Sequence, residues 1–158
     1  MAAADHPNVV AVGAALAARG APFAVQVLPD AVSTAKAAAE ALGVEVGQIA
    51  NSLIFSADGE PLLVLTSGAH RVDTAKVAAT LGVASVDRAD PAFVRAATGQ
   101  AIGGVAPVGH PAPVRTLVDT ALAAYDEVWA AGGIPHAIYP TSFAELVAVT
   151  DGTPTEVA

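Results

Sequence analysis

The stretch from Ile49 to Thr66 restricts the possible folds more than any other part of the chain. Ile49–Ser56 reads as a strand, Ala57-Asp58-Gly59-Glu60 contains the Asp-Gly pair that favours a two-residue hairpin turn, and Pro61–Thr66 returns as a second strand. The return strand carries Leu62-Leu63-Val64-Leu65, apolar on both faces. A strand of that kind needs cover on both sides, so it belongs in the middle of a sheet.

The segments around the hairpin supply that cover. Asn8–Arg19 places Val9, Val12 and Leu16 on one helical face and stops at Gly20. Phe23–Leu28 reads as a strand, turned by Pro29-Asp30. Ser33 or Thr34 caps an alanine-rich helix to Leu42, ended by Gly43. Asp73 caps a helix to Leu81 before Gly82; Ala84–Val86 is a short strand; Asp90-Pro91 starts another helix, with Phe93 and Ala97 on its buried face. The two capped helices share Thr-Ala-Lys and Leu-Gly-Val ends, which common capping chemistry explains without a true repeat. Gln100–Pro113 holds three Gly and three Pro and reads as a shaped loop outside the core. Val114–Asp119, Glu127–Ala131 and Ile134–Tyr139 read as strands, the last two joined across Gly132-Gly133. Ser142-x-x-Glu145 is a capping box for a last helix with Phe143, Leu146 and Val147, and a terminal strand is expected near Thr155–Ala158. The pattern is α+β or mixed α/β, with at least part of the sheet antiparallel and curling towards a barrel. At 158 residues the length prior gives one domain over 1–158.

Composition excludes several function classes. The net charge is -8 with only seven Lys and Arg, too few for a broad nucleic-acid footprint but enough for a few phosphate contacts. There is no cysteine, hence no disulfide, thiolate nucleophile or Cys-ligated metal. No Gly-x-Ser-x-Gly elbow, Gly-x-Gly-x-x-Gly, Walker loop or His-Glu-x-x-His is present. The four histidines are widely spaced, so no metal site is expected and no cofactor is implied. The first residues do not pair a basic region with an apolar one, and no apolar run approaches the ~18–20 residues of a membrane span. The expectation is a cytoplasmic protein without a membrane partner. Nothing in the sequence fixes an oligomeric state.

A few residues break the apolar pattern. Asn51 alternates with Ile49, Leu53 and Phe55; it either pairs with backbone in the core or lines a pocket. Gly103-Gly104-Val105-Ala106-Pro107-Val108-Gly109-His110 is either a plain connection or a turn whose N–H groups hold an anionic oxygen. Alternation puts His136 beside Ile134 and Ile138 on one strand face, where a structural histidine is the simpler reading. Arg71 and Lys76 read alone as a solvated loop and helix face.

In order, Thr34-Ala35, Gln48-Ile49-Ala50-Asn51-Ser52-Leu53, Arg71-Val72-Asp73, Ala89-Asp90-Pro91, Thr98-Gly99, Gly103-Gly104-Val105-Ala106-Pro107 and Ala131-Gly132-Gly133 resemble the YbaK/EbsC-like family of aminoacyl-tRNA deacylases. That family includes the editing domain of bacterial prolyl-tRNA synthetases and its free-standing relatives. The resemblance runs over roughly residues 20–158. It implies a mixed α/β fold with a strongly curved, barrel-like mixed sheet flanked by helices. It also implies hydrolysis of the ester joining a wrong amino acid to the tRNA 3′ end, non-covalent and metal-independent. The implied partners are the aminoacylated acceptor end of tRNA and a tRNA synthetase. The family's Gly-x-x-x-Pro loop matches Gly103 and Pro107, and its Gly-Gly segment matches Gly132 and Gly133, followed by His136. Family members carry a lysine where this chain has Asn51.

On this resemblance, Asn51, Gly103, Gly104 and His136 are the expected catalytic residues. Thr34, Ser52, Arg71, Val105, Pro107, His110, Gly132 and Gly133 are the expected substrate contacts. Backbone groups of Gly103–Val105 would receive the ester carbonyl, Asn51 would orient the ester or ribose, and His136 or His110 would assist proton transfer or bind the terminal adenosine. The alternative is a non-catalytic module that binds an aminoacyl or nucleotide ligand. Asn51, which lacks the lysine's charge, favours that alternative; the intact Gly-x-x-x-Pro loop favours the enzyme.

Overall fold

The computed structural model describes residues 2–158. Its elements in chain order are α1 (Pro7–Ala18), β1 (Gln26–Val27), α2 (Ala35–Leu42), β2 (Ile49–Ala57), β3 (Glu60–Ser67), α3 (Thr74–Leu81), β4 (Val86–Arg88), α4 (Pro91–Thr98), β5 (Arg115–Asp119), β6 (Val128–Ala131), β7 (Ala137–Thr141), α5 (Phe143–Thr150) and β8 (Thr153–Thr155). The strands form one mixed sheet in the order β1-β7-β6-β2-β3-β5-β8, with β4 attached to β2 off that path. β2 runs antiparallel to β3 and β4 and parallel to β6; β3–β5 and β5–β8 are parallel. The sheet is curled but not a closed barrel: β1 and β8 remain its two edges.

The hairpin forms as its sequence dictates. Asp58 and Gly59 both adopt positive φ, 51° and 89°, and Ala57 faces Glu60 across the two-residue turn. Leu62, Leu63, Val64 and Leu65 are fully buried, as a central strand requires. They alternate between two cores. Leu63 and Leu65 join α1, α4 and α5 on one face; Leu62 and Val64 join Val77, Ala78 and Val157 on the other. A third cluster packs Ala38 and Ala39 of α2 on Ile49, Trp129 and Ile138. The caps are those in the sequence: the Thr34, Asp73, Asp90 and Ser142 side chains accept N–H groups of Ala37, Lys76, Phe93 and Glu145. The Glu145 carboxylate turns to the Thr141 hydroxyl instead of completing the box.

Several boundaries differ from the sequence reading. The strand expected over Phe23–Leu28 shrinks to Gln26–Val27, the residues that pair with Ile138 and Ala137 of β7, while the Phe23 ring packs edge-on against Tyr139 at 5.1 Å. The short strand at Ala84–Val86 lies at Val86–Arg88, since the Asp58 carboxylate takes the Ala84 and Ser85 N–H groups and holds them as a turn. The strand expected from Ile134 begins only at Ala137: Ala137 N–H donates to the Ile134 carbonyl, and Gly132 N–H to that of Ala137. His136 therefore sits in a turn and not beside Ile134 on a strand face. On α4 the most buried residues are Val94 and Thr98, with Phe93 and Ala97 at the margin. The last strand is Thr153–Thr155, three residues in all. The Gln100–Pro113 loop is not outside the core, for Val105, Ala106 and Val108 are all buried in the main cluster.

Candidate active site

The site follows from an interruption in the sheet. On one side β2 pairs with β3 from Ala50 to Ala57. On the other it pairs with β6 only at Ile49 and Ala50, and with β4 only from Phe55 to Ala57. Asn51–Ile54 thus have no strand partner on that edge. The two-residue turn makes Ala57 and Glu60 a hydrogen-bonded pair, and antiparallel pairs alternate from there. Asn51, Leu53 and Phe55 therefore direct their backbone groups to β3, while Ala50, Ser52, Ile54 and Ser56 direct theirs outwards. Ala50 meets β6 and Ser56 meets β4. Ser52 meets neither.

A cleft of about 270 Å³ opens at this fork. Because the edge is open, residues from both faces of β2 line it, Asn51 and Ser52 included. Its walls include Thr34 and Ala38 at the start of α2, Gly103 and Val105 of the loop after α4, and Trp129 and Ile138 of β6 and β7. Gly103 has φ 93°, and a Cβ there would stand 3.1 Å from that of Ser33, so a glycine brings the two walls together. Arg88 is the one charged side chain in the lining, exposed at the rim. Among the described residues, no His, Asp or Glu lines the cleft.

Hydrogen bonding marks which groups are free. The Thr34 hydroxyl already accepts the Ala37 N–H as a helix cap. The Ser52 Oγ is buried and has no partner among the described residues. A buried hydroxyl without a partner costs ~1–3 kcal/mol, so its retention here calls for a reason.

The sequence-predicted residues divide into two groups. Asn51, Ser52, Thr34, Gly103 and Val105 converge on the cleft. Gly104 is buried behind it: its N–H donates to the Ala101 carbonyl at 3.0 Å, and a Cβ there would lie 2.7 Å from the Ile134 backbone. Its N–H is therefore not available to a substrate carbonyl. Pro107 and His110 line a separate hollow with Arg19 and Asp151. The His110 Nε2–H donates to the Ala106 carbonyl at 2.9 Å, and burial pushes the His110 pKa below the ordinary imidazole value. Gly133 seats α1, the Asn8 side chain donating to its carbonyl, while Gly132 packs against Ala137. His136 is half-buried outside the lining, and Arg71 is exposed away from it.

Three features escaped the sequence reading. Arg88 gave no signal because its place depends on β4 joining β2. Gln100 is fully buried, its Oε1 accepting the Ala106 N–H at 2.7 Å and its Nε2 donating to the Val108 carbonyl at 3.4 Å. This one side chain clasps the loop that carries Gly103 and Val105; a polar residue just after a helix-ending glycine was the available hint. Asp119 is buried on the far side of β3, taking the Ser67 and Ala121 N–H groups, with His70 Nδ1 at 2.9 Å. It ties β5 to β3 and does not reach the cleft.

Comparison with known proteins places this geometry. A crystal structure of a candidate trans-editing enzyme for prolyl-tRNA synthetase superposes with a TM-score of 0.89 at 42% identity, covering 96% of each chain. A second crystal structure, of the protein APE2540, gives a TM-score of 0.86 at 28% identity over 93% of this chain and 98% of that one. The proline–tRNA ligase of Nitratidesulfovibrio vulgaris (strain DP4) is 36% identical over 91 residues, 58% of this chain and 16% of the ligase. The chain thus spans only a small part of the length of such relatives. The protein YwhH of Bacillus subtilis (strain 168) is 32% identical over 102 residues, 64% of each chain. The aminoacyl-tRNA editing domain family matches residues 29–149, which hold every lining residue of the cleft, and the chain belongs to that family.

Proposed function

We propose that this chain is a trans-editing deacylase, hydrolysing the ester between a mischarged amino acid and the 3′ end of tRNA in the cytoplasm. The observation that carries the reading is the cleft at the fork of β2, which presents free backbone and hydroxyl groups but no nucleophile–base pair. An aminoacyl ester is already activated and brings a neighbouring ribose hydroxyl. Positioning it against preorganised donors, with water at hand, is sufficient chemistry. No covalent intermediate is needed, and the lining offers no His, Cys, Asp or Glu to hold a metal.

The roles follow from position. Gly103 and Val105 bring main-chain N–H groups to one wall, and neither is donated to another described residue. Asn51 supplies an uncharged amide to orient the ester or ribose. Arg88, the single cation, meets a phosphate next to the terminal nucleoside. His136 and His110, outside the lining, are assigned no step. A charge of -8 makes binding to free tRNA weak and salt-sensitive, with added affinity supplied by a tRNA synthetase.

Asn51 in place of the family lysine favours one other reading, a binding module without catalysis. Single-turnover hydrolysis of a panel of mischarged tRNAs by the parent and by Asn51→Lys separates the two. Cleavage of at least one substrate by the parent supports the enzyme. If neither protein cleaves any, the binding module replaces it.

A further inference from the structure

We infer that the aminoacyl group of the substrate docks as the missing rung of the sheet, pairing with the backbone of Ser52. The inference rests on the deacylase reading and specifies which part of the substrate the fork recognises.

Two independent observations carry it. The first is the ladder: β6 leaves β2 after Ala50 and β4 joins at Phe55, so the outward N–H and C=O of Ser52 face the cleft without a strand opposite. The second is the Ser52 Oγ, buried in the same lining without a partner. A donor and an acceptor at the opening thus belong to the same residue as an unpartnered hydroxyl buried beside them. An α-aminoacyl ester carries the complementary set. Its α-ammonium is a donor and its ester carbonyl an acceptor, spaced as in any amino-acid residue of a strand. The Ser52 C=O takes the ammonium; the Ser52 N–H and hydroxyl take the carbonyl oxygen, from the side opposite Gly103 and Val105. No carboxylate lines the cleft, so a main-chain carbonyl is the natural partner for the ammonium. The gap is four residues, roughly 13 Å at strand rise, which admits one aminoacyl group and little more. In the reaction, water adds to the ester carbon, charge collects on the carbonyl oxygen held by these donors, and the bond to the ribose 3′ oxygen breaks. That oxygen leaves with a proton, giving free amino acid and intact tRNA.

The test uses the substrate that the parent cleaves best, its N-acetylated form, and two variants. Acetylation removes the charged donor and should lower kcat/KM by roughly 10- to 150-fold. Ser52→Pro deletes an N–H that the ladder does not use. Proline is tolerated where the N–H faces away from the neighbouring strand, so the protein should fold while the rate falls roughly 10²–10³-fold. Ser52→Ala guards against misfolding of the proline variant; it should lose roughly 10-fold in rate with no fall in Tm, because an unpartnered buried hydroxyl is removed. A parent that cleaves the acetylated and free substrates equally, or a folded Ser52→Ala that matches the parent, overturns the pairing and leaves the deacylase reading standing. A parent inert to every substrate overturns both.

Discussion

Gln100→Met tests how the cleft wall is held. The substitution nearly conserves volume, so the cavity contribution is small. It deletes the acceptor for the Ala106 N–H, bonded at 2.7 Å, and the donor for the Val108 carbonyl, at 3.4 Å. Ala106 is fully buried, so water cannot replace the lost partner. An orphaned buried group costs ~1–3 kcal/mol, and the longer bond belongs at the low end of that range. The expected loss is roughly 2–4 kcal/mol, a large share of the ~5–15 kcal/mol by which domains are stable. At ~2–4 °C per kcal/mol for a chain of this size, Tm falls by about 4–16 °C. Gly103 and Val105 lie between Gln100 and its first anchor at Ala106, so deacylation should also fall at temperatures where the variant is still folded. Urea and thermal melts measure the first effect, and single-turnover rates well below Tm measure the second. A stability within 1 kcal/mol of the parent would refute the claim that this amide holds the loop.

Gly104→Ala should destabilise rather than act as a clean site mutation. Its Cβ would stand 2.7 Å from the Ile134 backbone and 2.8 Å from the Pro135 nitrogen, where neither side yields easily, at a cost of ~1–3 kcal/mol; a melt matching the parent would contradict this. Arg88→Gln should weaken binding to the aminoacylated acceptor end and lower the slope of log K against log salt by about one, with Tm unchanged because the side chain is exposed. An unaltered slope would remove Arg88 from phosphate contact. Burial lowers the His110 pKa in the fold, outweighing the bond to the Ala106 carbonyl, so the unfolded chain binds the proton more readily. The stability from the neutral ring is complete above the ordinary imidazole value of 6.5 and is lost as pH falls below it. His110→Gln should flatten the fall in stability between about pH 7 and 5, and an unchanged profile would count against a buried neutral ring.

What the sequence discloses is what local chemistry decides. Asp58-Gly59 fixes its hairpin without help from elsewhere, and Thr34, Asp73, Asp90 and Ser142 cap helices using the N–H groups three residues on. Asn51 stands out because an amide among large apolar residues needs a reason, and Gly103 because a glycine pair before proline shapes a loop. The fork is not legible, because it depends on where β4 and β6 stop along β2. That is settled by Asp90-Pro91 starting α4 just after Arg88 and by Gly132 turning to Ala137. The place of His136 is not legible for a related reason: alternation across Ile134, His136 and Ile138 imitates a strand, while Pro135 and the Gly132-Gly133 pair impose a turn. Gly104 and Gly103 are indistinguishable in sequence, yet one packs against backbone and the other faces the cleft.

The brevity of the open edge matters for solubility as well. A strand edge with free N–H and C=O groups is ordinarily a template on which other chains add and aggregate. Here the free segment is Asn51–Ile54, recessed between β4 and β6. A second polypeptide strand, commonly five or six residues long, would collide with one flanking strand before it could form a ladder. Shortening β4, by deleting Asp87 and Arg88 for example, would lengthen the free segment until an ordinary strand could add to it. The protein should then begin to self-associate on standing, at concentrations where the parent stays dispersed.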